Sequence, residues 1–332
     1  MSYNIQTLLD KIQDAHVLCA GDLMLDCYIY GEATRLSPEA PVPILVVKRQ
    51  TYIPGGLGNV VMNIHTLGAK ALSVGIVGND SRAQTLINLL SPIMEDKSAA
   101  FVRDPTRPTT VKTRVIAGIQ QVVRFDEESI EPVSQKIQEN YQKNIQQILP
   151  RAGALVLSDY GKGLLTPNLT SWLIHNANTQ GIPTIVDPKG ADYGRYRGAT
   201  VVTPNRQELS LALGEDITHA PAEILAQGGK TLMERHGIQN LLITRSEDGM
   251  TLVLASGKVL HLPTRARAVF DVSGAGDTVV AAVAASLAVG ADLEASAKLA
   301  TLAAAVVVGK VGTATATPTE IKNSESLFVK PS

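Results

Sequence analysis

The 332-residue chain has only two cysteines, Cys19 and Cys27. Both fall in or beside one apolar run, which excludes a disulfide framework or a cysteine-built zinc site and makes them core residues. Aromatic residues make up 4% of the chain and form no spaced stripe on which nucleic-acid bases could stack. Neither sign of charge prevails. Thirty Lys and Arg against 31 Asp and Glu leave a formal charge of -1, so no long-range attraction to nucleic acid or an anionic membrane is expected. The most apolar late segments, VVAAVAASLAVG and LATLAAAVVVG, are too short for a membrane span and suit helices packed on a sheet. The first 22 residues lack the basic and then apolar pattern of a leader, so a cytoplasmic location is expected. His16, His65, His175, His219, His236 and His261 form no H-E-x-x-H or other close ligand set. A phosphate-binding P-loop is missing too: Lys310 is followed by Val311 where a magnesium-binding hydroxyl would be needed. Nor does G-x-G-x-x-G follow the first strand, which leaves a dinucleotide cofactor without its signature.

What is present is an ordinary globular composition, 45% hydrophobic and 18% charged, in a chain long enough for a substantial core. Apolar runs at 15–21, 72–77, 154–158, 183–187, 199–203 and 240–244 read as buried strands. Helix-like stretches at 81–94, 129–149, 166–180 and 222–236 lie between them. This alternation predicts an α/β fold with a largely parallel sheet covered on both faces, its active residues beyond the C-terminal strand ends. Segments 26–52 and 99–125 break the rhythm with short β-prone runs punctuated by Pro and Gly. They read either as a small β lid over the site or as an ordinary edge extension.

The most informative stretch is FDVSGAGDT at 270–278, a glycine turn opening an alanine-rich helix. Gly274, Ala275 and Gly276 would let backbone N–H groups surround a phosphoryl oxygen. Asp277 would stand beside that cradle as a base for an accepting hydroxyl. A plain helix cap would use similar residues. Gly55 and Gly56, with Asn59, in PGGLGN either cap the next helix or meet a sugar, and Asp22 and Asp26 either form turns or accept sugar hydroxyls. Lys112, Arg114, Arg124 and Asp126 alternate with β-prone residues; in a strand pair some of the basic heads share a face, where they would hold a substrate phosphate or edge a solvated lid. Asp159, Tyr160 and Lys162 in LSDYGKG, Asp187 and Lys189 in DPKG, Asn205 and Glu208 in TPNRQE, and ITRSEDG at 243–249 are polar strand ends converging on one edge. Asn205 and Glu208 would meet a hydrated Mg²⁺, or simply cap a helix.

In combination, GDLMLD, PGGLGN, the segment ending at Glu208 and DVSGAGDT resemble the ribokinase-like, PfkB-type carbohydrate kinases. RLSPEAPVP at 35–43, KTR at 112–114, LSDYGKG, DPKG, ITRSEDGM and VVVGKVGT at 306–313 are more narrowly similar to the kinase domain of bacterial heptose-7-phosphate kinase and heptose-1-phosphate adenylyltransferase enzymes. The resemblance implies a three-layer α/β/α ribokinase-like domain over 1–320, a small β lid that can dimerise, and a tail at 321–332. It implies ATP and Mg²⁺ as cofactors and admits a monovalent cation. The implied reaction phosphorylates the C1 hydroxyl of heptose 7-phosphate, on the way to the lipopolysaccharide inner core. Neither nucleic acid nor a membrane is an expected partner.

Carried onto this chain, the likeness makes Asp277 the base and Gly274, Ala275 and Gly276 the anion-stabilising turn. Asp26, Gly55, Gly56 and Asn59 would face the sugar, and Lys112 and Arg114 its phosphate, with Asp159 and Lys162 bordering that pocket. Asn205 and Glu208 would take the nucleotide phosphates, with Glu208 reaching the metal through water. Thr244, Ser246, Gly249 and Gly276 would lie near the nucleotide. Two departures stand out. PGGLGN replaces the usual PGGAAN, and ATLAAA at 300–305 replaces ANAAAG, so Thr301 and Ala305 alter the expected adenosine side. No H-x-G-H nucleotidyl-transfer motif occurs, so only the kinase half is expected. Another PfkB-type kinase, or a non-catalytic sugar binder on the same scaffold, would share most of these features.

Overall fold

In the first strand, Val17 and Cys19 pack on one side while Leu18 and Ala20 pack on the other. A strand buried on both faces belongs in the middle of a helix-covered sheet. The computed structural model describes residues 4–97, 100–264, 266 and 270–326. Ala99, at the start of the second expected lid segment, lies outside them, as do residues 1–3 and 327–332, the ends of the expected domain and tail.

The strands are β1 (His16–Gly21), β2 (Leu23–Leu36), β3 (Pro43–Gly56), β4 (Lys70–Val77), β5 (Phe101–Arg103), β6 (Val111–Ala117), β7 (Gln120–Glu127), β8 (Ala154–Ser158), β9 (Thr184–Asp187), β10 (Val201–Val202), β11 (Leu241–Thr244), β12 (Met250–Val253) and β13 (Val259–Leu262). The helices are α1 (Ile5–Ile12), α2 (Leu57–Thr66), α3 (Ser81–Leu90), α4 (Gln135–Ile148), α5 (Pro167–Thr179), α6 (Arg206–Leu213), α7 (Ala222–His236), α8 (Ala275–Ala288), α9 (Leu293–Val307) and α10 (Pro318–Ser326). One sheet runs β13-β12-β11-β10-β9-β8-β1-β4-β5, parallel except for its β11–β12–β13 edge. Side chains of α1, α2, α3, α8 and α9 cover one face, and those of α4, α5, α6 and α7 the other. From β1 the order departs in both directions, to β4 on one side and β8 on the other. A crevice therefore opens beyond their C-terminal ends.

Local chemistry sets the helix boundaries. Pro132 and Ser134 shorten the expected 129–149 helix: the Ser134 side chain accepts from Ile137 N–H, and α4 starts at Gln135. In the same way Thr166 caps α5 and Pro167 takes its first turn.

A second sheet, β3-β2-β6-β7, stands beside the first. Strands β2 and β3 are each 14 residues long. Their roots, Leu23 to Cys27 and Pro54 to Gly56, are buried, while much of their outer length is exposed. The expected boundaries shift here. Strand β5 pairs with β4 in the large sheet, so of segment 99–125 only β6 and the start of β7 belong to the small one. β3 runs directly into α2 through Gly56, whose positive φ of 54° needs glycine. That short connection ties the small sheet to the crevice.

Candidate active site

Asp277 lies in the first turn of α8, buried at 4% exposure. Asn59 Nδ2 donates to its Oδ2 at 2.7 Å, and the Tyr160 hydroxyl donates to its Oδ1 at 3.0 Å. Behind them, Asn63 donates to the Asn59 carbonyl (2.9 Å), and Thr278 Oγ1 donates to Asn63 Oδ1 (2.8 Å). The carboxylate is thus aimed by two elements far apart in sequence. Burial pushes its pKa up to about 6 despite the two donated hydrogen bonds, and the charge of Asp26 adds to the rise. A carboxyl with such a pKa is mostly ionised at pH 7 and can take up a proton, as a general base requires.

The turn before it is built on Gly274, at φ 77°. A Cβ there would stand 2.5 Å from Asn59 Nδ2. Helical bonding begins at Thr278, whose N–H donates to Gly274 O at 3.1 Å, so the N–H groups of Gly276 and Asp277 precede the first helical bond. Ala275 differs from the expectation, because its N–H donates to Val272 O at 3.2 Å and is already used. Gly276 differs in having open space beside it, with nothing within 4 Å of a Cβ placed on it.

Three cavities meet here. The first, about 380 Å³, is lined by Asp26, Gly55, Gly56, Asn59, Lys112, Arg114, Lys162, Gly274 and Asp277, all singled out from sequence. Arg124, Tyr160 and Lys189 add to its wall. Asp26 is buried and accepts from Arg114 Nη1 at 2.5 Å. Its Oδ2 lies where a Cβ on Gly55 would be, at 2.3 Å, so glycine is required for the carboxylate to rest against that backbone. Lys112 Nζ reaches Asp126 (3.1 Å) and Glu128 (3.4 Å), and Lys162 Nζ reaches the other Glu128 oxygen (2.7 Å). Glu128 therefore joins a cation of the small sheet to one of the large sheet's loops. Both departures in PGGLGN fall behind this wall. Leu57 is wholly buried in the core, and Gly58 lets Pro54 approach, a Cβ on it standing 2.7 Å from Pro54 Cβ.

The second cavity, about 190 Å³, shares Asp277, Tyr160, Gly274 and Lys189 with the first and adds Asp159, Asp187, Asn205, Glu208, Thr244 and Gly276. Asp159 is a correction. It borders this cleft and not the first cavity, and its carboxylate is spent on Arg195 (2.5 Å), Tyr196 (2.7 Å) and the Gly161 N–H (2.9 Å). Asp22 also turns away from any ligand, accepting from the N–H groups of Tyr160 (2.9 Å) and Lys162 (3.1 Å). It holds the loop that carries both side chains. Asn205 and Glu208 form a reciprocal capping box on α6, with Glu208 Oε2 accepting from Asn205 N–H at 3.0 Å. Glu208 Oε1 is left toward the cleft, 3.9 Å from Lys189 Nζ. Among the described residues no group of three His, Cys, Asp or Glu is arranged to chelate a metal. Oxygen donors limited to Asp187 and Glu208 fit a hydrated Mg²⁺ that completes its shell with phosphate and water. Burial and the neighbouring carboxylates Asp277, Glu208 and Asp159 hold the Asp187 pKa well above the usual range.

The third cavity, about 320 Å³, is more apolar. Met250, Val279, Thr301, Ala304, Ala305 and Val308 line it, with Thr244, Ser246, Gly249 and Gly276 at its polar end. Ser246 has φ 53°, an uncommon backbone state for a residue with a side chain. Thr301 donates to Ala297 O at 2.8 Å and faces the Met250 sulfur. The second sequence departure therefore falls on the wall of this cavity.

Tyr160 and Lys189 follow strand ends, as the sequence indicates, and both line the first cavity. Arg124, a basic residue of the expected strand pair, faces the same cavity because the β6–β7 pairing sets it opposite Arg114.

The chain matches the pfkB family of carbohydrate kinases over residues 14–320. It is 48% identical over 308 residues to "Bifunctional protein HldE" of Paramagnetospirillum magneticum, covering 93% of this chain and 62% of that protein. To the protein of the same name from Pectobacterium atrosepticum it is 46% identical over 322 residues, covering 96% and 65%. The chain thus spans less than two thirds of the length of these relatives. Its fold is that of Escherichia coli phosphofructokinase-2, solved in complex with potassium (TM-score 0.78, 20% identity, 96% and 99% of the two chains covered). Arabidopsis thaliana ribokinase, solved with ribose and ATP, is also similar (TM-score 0.70, 19% identity, 96% and 99% covered).

Proposed function

We propose, from the premise that this chain belongs to the pfkB family of carbohydrate kinases, that it transfers the γ-phosphoryl group of ATP to the C1 hydroxyl of D-glycero-D-manno-heptose 7-phosphate. The observation that carries the reading is the first cavity, where the buried base Asp277 faces a polar chamber whose wall holds Lys112, Arg114, Arg124 and Lys162. A neutral sugar gives little reason for these four cations. A sugar that already bears a phosphate does. The narrower sequence likeness, RLSPEAPVP and LSDYGKG included, supports the heptose as that sugar.

The sugar's accepting hydroxyl would lie against Asp277, with Asp26 and Asn59 beside the ring and the existing phosphate among Lys112, Arg114 and Lys162. The adenine would occupy the apolar cavity by Thr301 and Ala305, and its phosphates would run past Ser246 and Asn205 to the junction. Asp187 and Glu208 would hold Mg²⁺ through its water shell, and the ion would neutralise phosphate charge. As the hydroxyl oxygen bonds to the γ-phosphorus, its proton passes to Asp277, and the bond to the departing ADP oxygen breaks. The N–H groups of Gly276 and Asp277 offset the charge that builds on the phosphoryl oxygens. Such an enzyme would act in the cytoplasm, toward the lipopolysaccharide inner core.

Lys112→Ala should raise the KM for the sugar phosphate about 10–100-fold with little change in kcat, the loss of one charge-assisted contact made equally in both states. Steady-state kinetics on the variant checks this, and an unchanged KM would move the phosphate away from Lys112.

The small sheet exposes Leu36, Val46, Val47, Val122, Val123 and Phe125. That much apolar surface supports a homodimer formed through the lid. Light scattering should give twice the chain mass, and Phe125→Asp should shift it toward the monomer. A wild-type monomer at micromolar concentration would contradict the dimer.

A further inference from the structure

The second cavity gathers Asp159, Asp187, Glu208 and Asp277 where a polyphosphate must enter, and Lys189 is the single cation lining it among the described residues. The same side chain also lines the first cavity. No other Lys or Arg among the described residues borders both. Its backbone is fixed, since Lys189 N–H donates to the buried Tyr196 hydroxyl at 3.0 Å, and that hydroxyl reaches Lys189 O at 3.3 Å. Its side chain is loosely held: it is 55% exposed, and Glu208, its one ion-pair partner among the described residues, is 3.9 Å away. A firmly rooted, loosely paired ammonium at the junction of two cavities can follow a phosphoryl group from one to the other.

We infer that Lys189 is a catalytic residue that contacts the transferring phosphoryl group and counters the charge on it as it passes from the nucleotide cleft to the sugar cavity. The physical case is electrostatic. The base, Asp277, must be ionised for the proton to leave the hydroxyl, and an anionic phosphoryl then approaches it. Mobile cationic charge between them lowers this repulsion most when the phosphoryl is halfway across. This rests on the kinase reading above, extends it to DPKG, and names a role that a helix-start glycine turn does not fill.

The test compares Lys189→Met and Lys189→Arg with the wild type. Because the side chain is mostly solvent-exposed, melting temperature should not change. For Lys189→Met, kcat should fall about 10²–10³-fold while the KM for the sugar phosphate changes less than threefold, with Lys189→Arg retaining more activity. Calorimetric titration of Lys189→Met should show Mg-ATP affinity reduced about five- to tenfold and Mg-ADP affinity unchanged. A kcat within threefold of wild type, or equal losses for ATP and ADP, would overturn the inference. If the wild type phosphorylates no heptose, the substrate reading fails, and the ATP–ADP comparison still decides the role of Lys189.

Discussion

Asp277→Asn is expected to lower kcat by about 10²–10⁴-fold and to make the protein more stable. The amide keeps the shape of the carboxylate. Its oxygen can accept from Asn59 Nδ2, and its NH₂ can donate to the Tyr160 hydroxyl, which reverses its role. Substrate binding should therefore survive, but an amide takes no proton from the hydroxyl. The gain in stability follows from burial. In the fold the carboxyl pKa is pushed up to about 6 from an ordinary 3.8, so the native state favours the protonated form. Ionisation consequently destabilises the wild type as pH rises from 4 to 6, and the cost stays in full above that. At neutral pH removing it is worth on the order of 2–3 kcal/mol, and the two proteins should converge below pH 4. Urea unfolding at pH 4 and pH 7.5 measures the gap. The same titration should give wild-type kcat/KM an acidic limb near pH 6. Near-normal turnover of the variant, or equal stability at both pH values, would remove Asp277 from the base position.

Gly274→Ala should be nearly as damaging by a different route. The backbone there is at φ 77°, which costs a side-chain-bearing residue about 1–2 kcal/mol. The added methyl would stand 2.5 Å from Asn59 Nδ2, the same atom that donates to Asp277 at 2.7 Å. To relieve that contact, either the turn opens or Asn59 leaves the base. The first displaces the N–H groups of Gly276 and Asp277, and the second lets the carboxylate rotate. Either should cost about 10²–10³-fold in kcat. Stability should drop modestly, in contrast with Asp277→Asn, so the pair separates loss of geometry from loss of the proton acceptor. A Gly274→Ala protein with full activity would mean that the turn does not touch the reacting group.

Much of this site could be read before the fold was known because its residues follow strand ends. Asp22 after β1, Asp159 and Tyr160 after β8, Asp187 at the end of β9 and Thr244 at the end of β11 lie where a parallel sheet presents its ligand-binding edge. The glycine turn and Asp277 were legible for a related reason: glycine at a helix start is a local backbone requirement that the sequence shows directly. What could not be read was which way a carboxylate points. Asp22 and Asp159 look like ligands beside Asp26, yet one holds the N–H groups of its neighbouring loop and the other pairs with Arg195. Arg195 is 36 residues beyond Asp159 and meets it only because β9 and the following turn return to the same edge. Similarly, Lys112 and Lys162 come from different sheets and are joined by Glu128, a meeting set by packing of the lid against the core. Lys112 and Arg114, two apart on β6, share a face by the strand period alone, and the pairing of β6 with β7 brings Arg124 opposite Arg114.

The central claim is best tested by incubating the protein with Mg-ATP and D-glycero-D-manno-heptose 7-phosphate and following the product by phosphorus NMR. The account predicts a second sugar phosphate resonance, on C1, appearing in step with ADP. Correctly folded protein that leaves this sugar untouched while phosphorylating another would contradict the heptose assignment, and transfer to a hydroxyl other than C1 would contradict the placement of Asp277 against it.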